Sequence, residues 1–162
     1  IIGIVYIMAP FALLNVFTFE EIFVEYKPEV VLGFFVMLWL NDTGAFVFGK
    51  LFGRTKLFPR ISPNKTWEGS IGGGLAAFAG AVIISTYTDE ISIVNWLILA
   101  LIIVIAASFG DLVESLLKRS LKVKDSSNLL PGHGGILDRF DGVLLASPVA
   151  FTYLMLFVHA KP

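Results

Sequence analysis

The run Val30–Leu51, VVLGFFVMLWLNDTGAFVFGKL, decides the fold, because it is long enough as a helix to cross a hydrocarbon core and yet carries Asn41 and Asp42 inside it. A spanning helix needs roughly 20 apolar residues. Four other stretches approach that length: Ile1–Phe19, Ile71–Tyr87, Val94–Leu112 and Gly142–Val158. Continuously apolar runs have no period that separates helix from strand. Length decides for helix, together with the bilayer's demand that backbone groups be satisfied within the segment. Pro10 and Pro148 lie inside two of these stretches and are expected to kink their helices rather than end them. The reading is an all-α polytopic membrane bundle of about five transmembrane helices, with residues 1–162 as one membrane domain.

Composition leads to the same class. With 56% hydrophobic residues, 15% charged residues and a mean hydropathy of +0.82 over 162 residues, the chain is too apolar for an ordinary soluble domain of this size. It opens on Ile1 inside an apolar run, so more chain is expected before it. The lack of cysteine excludes disulfides and thiolate metal sites. No GxxxxGK[ST] motif is present, which argues against a P-loop ATPase.

The charges are unevenly placed. Ten of the twelve Lys and Arg residues fall between Lys50 and Lys65 or between Lys118 and Arg139. Two spans separate these segments, so they share one end of the bundle. The connections at the other end, Glu20–Glu29 and Thr88–Ile93, carry six acids and only Lys27. By the positive-inside rule the basic segments, taken as loops over residues 50–69 and 113–141, face the cytoplasm. Gly69, Gly73, Ala76 and Gly80 form a small-residue face on the third span, where another helix of this chain or of a second copy in a homodimer can approach closely.

Several residues in this frame carry chemistry. An ionised Asp42 inside a span costs about 2.5–3.5 kcal/mol on insertion scales, so a buried donor or a polar cavity is expected beside it. Asp111, Glu114, Ser115 and Lys118 stand at i, i+3, i+4 and i+7, on one helical face. A Glu114–Lys118 pair at a solvated helix end would account for two of them and leave Asp111 without a partner. Asp138 and Asp141 are three apart and share a face if the last helix begins near Leu137. Carboxylates arriving from two helices make a hard oxygen site suited to Mg²⁺ rather than zinc.

Between these helices Pro131-Gly132-His133-Gly134-Gly135 can line up backbone N–H groups as an anion nest. Lys118, Arg119, Lys122, Lys124 and Arg139 surround it in sequence, and phosphate is the expected guest. The first basic segment, with Lys50, Arg54, Lys56, Arg60 and Lys65 around the polar turn Ser62-Pro63-Asn64-Lys65-Thr66, reads as a second anion wall or as a site for acidic lipid. Nothing in the pattern calls for nucleic acid.

The 27-residue string Ser115–Asp141, SLLKRSLKVKDSSNLLPGHGGILDRFD, closely resembles the signature of the phosphatidate cytidylyltransferase family. Asn41-Asp42-Thr43-x-Ala45, Gly49-Lys50, Gly53-Arg54 and Ile61–Gly69 look like the same family, whose members usually carry further spans on the N-terminal side. The resemblance implies a Mg²⁺-dependent membrane enzyme that joins CTP to phosphatidic acid, giving CDP-diacylglycerol and pyrophosphate. It implies a site on the cytoplasmic side of a bacterial inner membrane. In that reading Asp111 and Asp138 hold the metal, with Asp141 or Asp42 adding or orienting a ligand. Ser115, Lys118, Arg119, Lys124, Arg139 and the turn at His133, Gly134 and Gly135 bind nucleotide phosphates. Ser62, Asn64 and Lys65 hold one of the two substrate phosphates, which one being left open. Asp138-Arg139-Phe140-Asp141-Gly142 also begins the pattern of a CDP-alcohol phosphotransferase, but Leu145 and Ala146 stand where that pattern requires Ala-Arg. A transporter, suggested by Asp42, would place its charges nearer the bilayer midplane.

Overall fold

The computed structural model describes residues 2–16, 19–20, 25–26, 28–59, 61–121 and 140–159. Five α-helices carry the chain: α1 Ile2–Val16, α2 Glu29–Phe52, α3 Trp67–Ile84, α4 Ile93–Ser120 and α5 Asp141–Tyr153, the last continued by a π-helical segment Leu154–His159. Four are long and apolar enough to cross a membrane, the last of them running from Asp141 to Val158. At 15 residues, α1 is shorter than the roughly 20 a span requires. Helices α1 and α5 pass through Pro10 and Pro148.

The all-α bundle expected from the apolar runs is the observed fold. Helix α2 packs along α3, α4 lies against both α3 and α5, and α1 covers α5. Their shared core holds Phe34 and Met37 of α2, Trp96, Leu99 and Ile103 of α4, and Ala146 and Ala150 of α5, all fully buried. The outside is apolar as well: Trp39, Leu75, Ile83, Phe109 and Phe157 are exposed, a surface suited to hydrocarbon rather than water. Buried Ser147 of α5 donates from Oγ to the carbonyl of Pro10 at 3.0 Å, which ties α1 to the bundle.

The small-residue face of α3 lies against α2 of the same chain. A Cβ on Gly73 would stand 2.5 Å from the carbonyl oxygen of Asn41 and 3.0 Å from Cβ of Ala45. Only glycine admits that approach, so packing within the chain occupies this face of α3.

The polar connections differ from a plain loop reading. Short strands β1 Phe19–Glu20 and β2 Glu25–Tyr26 pair antiparallel between α1 and α2. Between α2 and α3, β3 Lys56–Phe58 and β4 Ser62–Thr66 form a hairpin whose register pairs Lys56 with Thr66 and Phe58 with Ser62. The sequence reads Ser62–Thr66 as a polar turn, and the structure makes it a strand. Proline is admitted here on a two-stranded ribbon, which has no central strand. The hairpin is anchored from α3. Thr66 caps that helix by accepting from the Gly69 amide at 3.1 Å, and the Glu68 carboxylate accepts from the amides of Arg54 and Thr55 at 3.1–3.2 Å.

One boundary also moves. Helix α4 runs on to Ser120, so the polar segment expected as loop from residue 113 begins as helix. Its 28 residues extend about 42 Å at 1.5 Å per residue, longer than a hydrocarbon core of about 30 Å. Helix α5 begins at Asp141 with the non-helical Phe140 as its N-cap; Leu137, where the sequence places the helix start, lies outside the described residues. The expected i, i+3 placement of Asp138 and Asp141 on one helical face involves Asp138, which lies outside the described residues.

Candidate functional site

At one end of the bundle α2, β4, α3, α4 and α5 enclose a cleft of about 430 Å³. Asp42, Ser62, Asn64, Lys65, Asp111 and Asp141 all line it. The first basic segment and the end of α4 that leads to the second therefore lie at one end of the bundle, as the alternation of spans requires.

Each side chain is delivered by a local device. Asp42 sits on the α2 face next to the one that packs on α3, and its Oδ1 accepts from Nδ2 of buried Asn41 at 3.4 Å. Lys65 stands on β4, held by the Thr66 cap and the Glu68 hydrogen bonds. Its ammonium forms an ion pair with Asp111 and donates to the carbonyl of Ser108 at 3.4 Å. The second oxygen of Asp111 accepts from Oγ of Ser115 at 3.3 Å. Asp111, which a helix-end pairing left unexplained, thus has two partners.

Asp141 arrives through a close backbone approach. A Cβ on Gly110 would stand 2.6 Å from the Asp141 carbonyl oxygen, so glycine immediately before Asp111 lets the start of α5 rest on α4. The Asp141 carboxylate accepts from the Gly142 amide at 2.6 Å. An anion at a helix N-terminus is favoured by the unpaired amides and dipole there.

The cleft is acidic. Asp42, Asp111 and Asp141 face it from three helices, and Lys65 is the cation among its described lining residues. Polyanions entering such a site need further positive charge. Hard carboxylate, hydroxyl and amide oxygens suit Mg²⁺ in kind. Among the described residues, no three acidic or histidine side chains come together as a ready ligand set.

Other expected site residues lie apart from the lining. Ser115 reaches the cleft only through Asp111. Lys118 pairs with buried Glu114 at 3.4 Å, and Arg119 is exposed near the end of α4. Lys122, Lys124, His133, Gly134, Gly135, Asp138 and Arg139 lie outside the described residues. So does Arg60.

Phe46 and Ser70 also line the cleft and were not singled out from sequence, and Glu68 is the anchor of the hairpin. The signal for Phe46 was its i+4 spacing between Asp42 and Lys50. For Glu68 it was an acid in the first turn after a threonine cap.

A family model described as "Cytidylyltransferase family" matches residues 1–157. Among curated proteins, the chain is 47% identical over 117 residues to a phosphatidate cytidylyltransferase of Staphylococcus saprophyticus, covering 71% of this chain and 45% of that protein. It is 47% identical over 123 residues to one of Bacillus subtilis, covering 75% and 46%. To one of Haemophilus influenzae it is 43% identical over 129 residues, covering 76% and 44%. The chain spans about half the length of the curated relatives it matches.

Proposed function

The chain belongs to the cytidylyltransferase family, and on that premise we propose that it carries the catalytic part of a CTP:phosphatidate cytidylyltransferase. The reaction joins the phosphate of phosphatidic acid to the cytidylyl group of CTP, giving CDP-diacylglycerol and pyrophosphate. The observation that carries this reading is the single cleft that gathers Asp42, Lys65, Asp111 and Asp141 from separate elements at one end of an apolar bundle. A lipid phosphate and a water-soluble nucleotide can meet at such a boundary.

An oxygen of the lipid phosphate forms a bond to the α-phosphorus of CTP. The bond from that phosphorus to the oxygen bridging to the β-phosphate breaks, and pyrophosphate leaves with the electron pair. No protein nucleophile is needed, because catalysis of this class rests on positioning and charge neutralisation. Lys65, with Ser62 and Asn64 on the same strand, holds a substrate phosphate. Asp111 orients the Lys65 ammonium by pairing with it.

Ser115, Lys118, Arg119, Lys124 and Arg139, with the backbone of His133, Gly134 and Gly135, bind the triphosphate and then the departing pyrophosphate. Asp111 and Asp138, with Asp141 or Asp42 adding or orienting a ligand, would hold Mg²⁺, which when bound supplies neutralisation of phosphate charge. The excess of carboxylates over ammonium in the cleft supports that need. The two basic segments support a cytoplasmic site in a bacterial inner membrane.

The test is incubation of the full-length protein with labelled CTP, phosphatidic acid and Mg²⁺. Label in the lipid phase with stoichiometric pyrophosphate is the expected result. Release of CMP would point instead to a phosphotransferase, and an unlabelled lipid phase would remove the assignment.

A further inference from the structure

Asp42, Phe46 and Lys50 follow one another at intervals of four along α2, so they form a stripe on one helical face. The neighbouring face is taken up by α3: Asn41, Ala45 and Phe48 lie against Gly72 and Gly73. That packing fixes the rotation of α2. The stripe is left exposed beside it.

Phe46 belongs to two environments at once. It lines the cleft together with Asp42, Lys65 and Asp111, yet it is 69% exposed. The Lys50 ammonium lies 5.9 Å from the centroid of its ring, within the range of a cation–π contact. The cleft therefore has carboxylates and an ammonium within and an aromatic lip on one side, with a second cation one turn further along that lip.

A nucleobase stacks on an aromatic ring, but a ring this exposed on the outer side of a spanning helix suits a diacylglycerol phosphomonoester, whose phosphate must reach the cleft while its acyl chains stay among other lipids. We propose that the Phe46–Lys50 face of α2 is the lateral lip over which the lipid substrate passes from the bilayer. Phe46 lies against the glycerol and the first acyl carbons. Lys50 meets the phosphate before Lys65 does. Charge complementarity selects this occupant: Lys50 over the Phe46 ring and Lys65 within the cleft attract a dianionic headgroup and offer nothing to a neutral lipid. The inference rests on the function proposed above and names the route of one substrate into that site.

The test compares Phe46→Ala, Lys50→Gln and Lys50→Arg in the full-length protein. Long-chain dioleoylphosphatidic acid diluted in dioleoylphosphatidylcholine vesicles is set against water-soluble dihexanoylphosphatidic acid. The expected result for the first two variants is a KM for the vesicle lipid raised about fivefold or more, a distinctly smaller rise for the soluble lipid, and KM for CTP unchanged. Lys50→Arg restores the vesicle KM. Equal losses on both lipids, a raised KM for CTP, or no change at all would overturn the lip, the last leaving the pair as an interfacial anchor. Labelling by a photoactivatable phosphatidic acid, scored without CTP, separates this proposal from the reaction itself. Labelling that falls in Phe46→Ala and Lys50→Gln supports the lip even if no cytidylylated lipid forms, and labelling unchanged in both overturns it whatever the turnover.

Discussion

Lys65, on the strand that leads into α3, forms an ion pair with Asp111 of α4. Their contact closes one side of the cleft and joins the first basic segment to the polar end of α4. The side chains are 25% and 33% exposed, and a pair so open to solvent contributes at most about 1 kcal/mol to stability. Its importance is positional.

Asp111→Asn and Lys65→Met are therefore expected to lower cytidylyl transfer by about 10²–10³-fold while leaving thermal unfolding in detergent almost unchanged. The check is turnover with labelled CTP beside a melting curve for each variant. Near-normal rates at saturating Mg²⁺ would remove the residue concerned from the reacting site.

Two adjacent glycines of α3 should respond in opposite ways. Gly73→Ala drives a methyl into the Asn41 carbonyl, and overpacking of this kind costs about 1–3 kcal/mol. It also pushes on the helix that carries Asp42, so activity should fall with stability. At Gly74 the nearest atom to an added Cβ is Cγ1 of Val104 at 3.7 Å. Gly74→Ala should be neutral or stabilise by up to about 1 kcal/mol, the difference in helix propensity. Melting temperatures of the two variants side by side decide the point.

Glu68→Ala removes the acceptor for the Arg54 and Thr55 amides. The hairpin should loosen and carry Lys65 with it. Faster limited proteolysis between residues 53 and 61 is expected, with turnover reduced several-fold and the helical content by circular dichroism unchanged. A hairpin as resistant as the unmodified one would show that other contacts hold it.

Ser147→Ala breaks the hydrogen bond to the Pro10 carbonyl. Inside an apolar bundle this should cost about 0.6–1.5 kcal/mol and weaken the attachment of α1. The measure is a lowered unfolding midpoint with KM for both substrates unaltered.

Chelation of divalent ions should stop the reaction, and Mg²⁺ should restore it. Asp141→Asn is expected to raise the Mg²⁺ concentration for half-maximal rate by about tenfold. An unchanged Mg²⁺ dependence would separate Asp141 from metal binding.

The bundle was legible from the chain alone because a bilayer imposes one demand, an apolar helix of sufficient length, that composition meets or fails in a way anyone can read. Helix α2 and the helical face Asp111–Lys118 of α4 followed from length and i, i+4 spacing. Helix α1 fell short of its apolar run and Phe19 paired as a strand instead, because helix ends depend on local caps and neighbours that hydropathy does not describe. The β3–β4 hairpin was hidden for a similar reason: its stability comes from Thr66 and Glu68 at the start of the next helix, and strand propensity around Pro63 argues against it.

The amino-acid sequence by itself determined the class of fold, the polar end of the molecule and the residue types that chemistry there can use, since these follow from hydrophobicity, charge placement and helical period. Only the tertiary structure decided which of those residues meet. Lys65 faces Asp111, the start of α5 rests on Gly110 of α4, and the α3 glycines receive α2 rather than a second chain. Such pairings depend on close backbone approaches, at Gly73 and Gly110 above all, and the distance between two helices is a property of both surfaces together that neither segment carries alone.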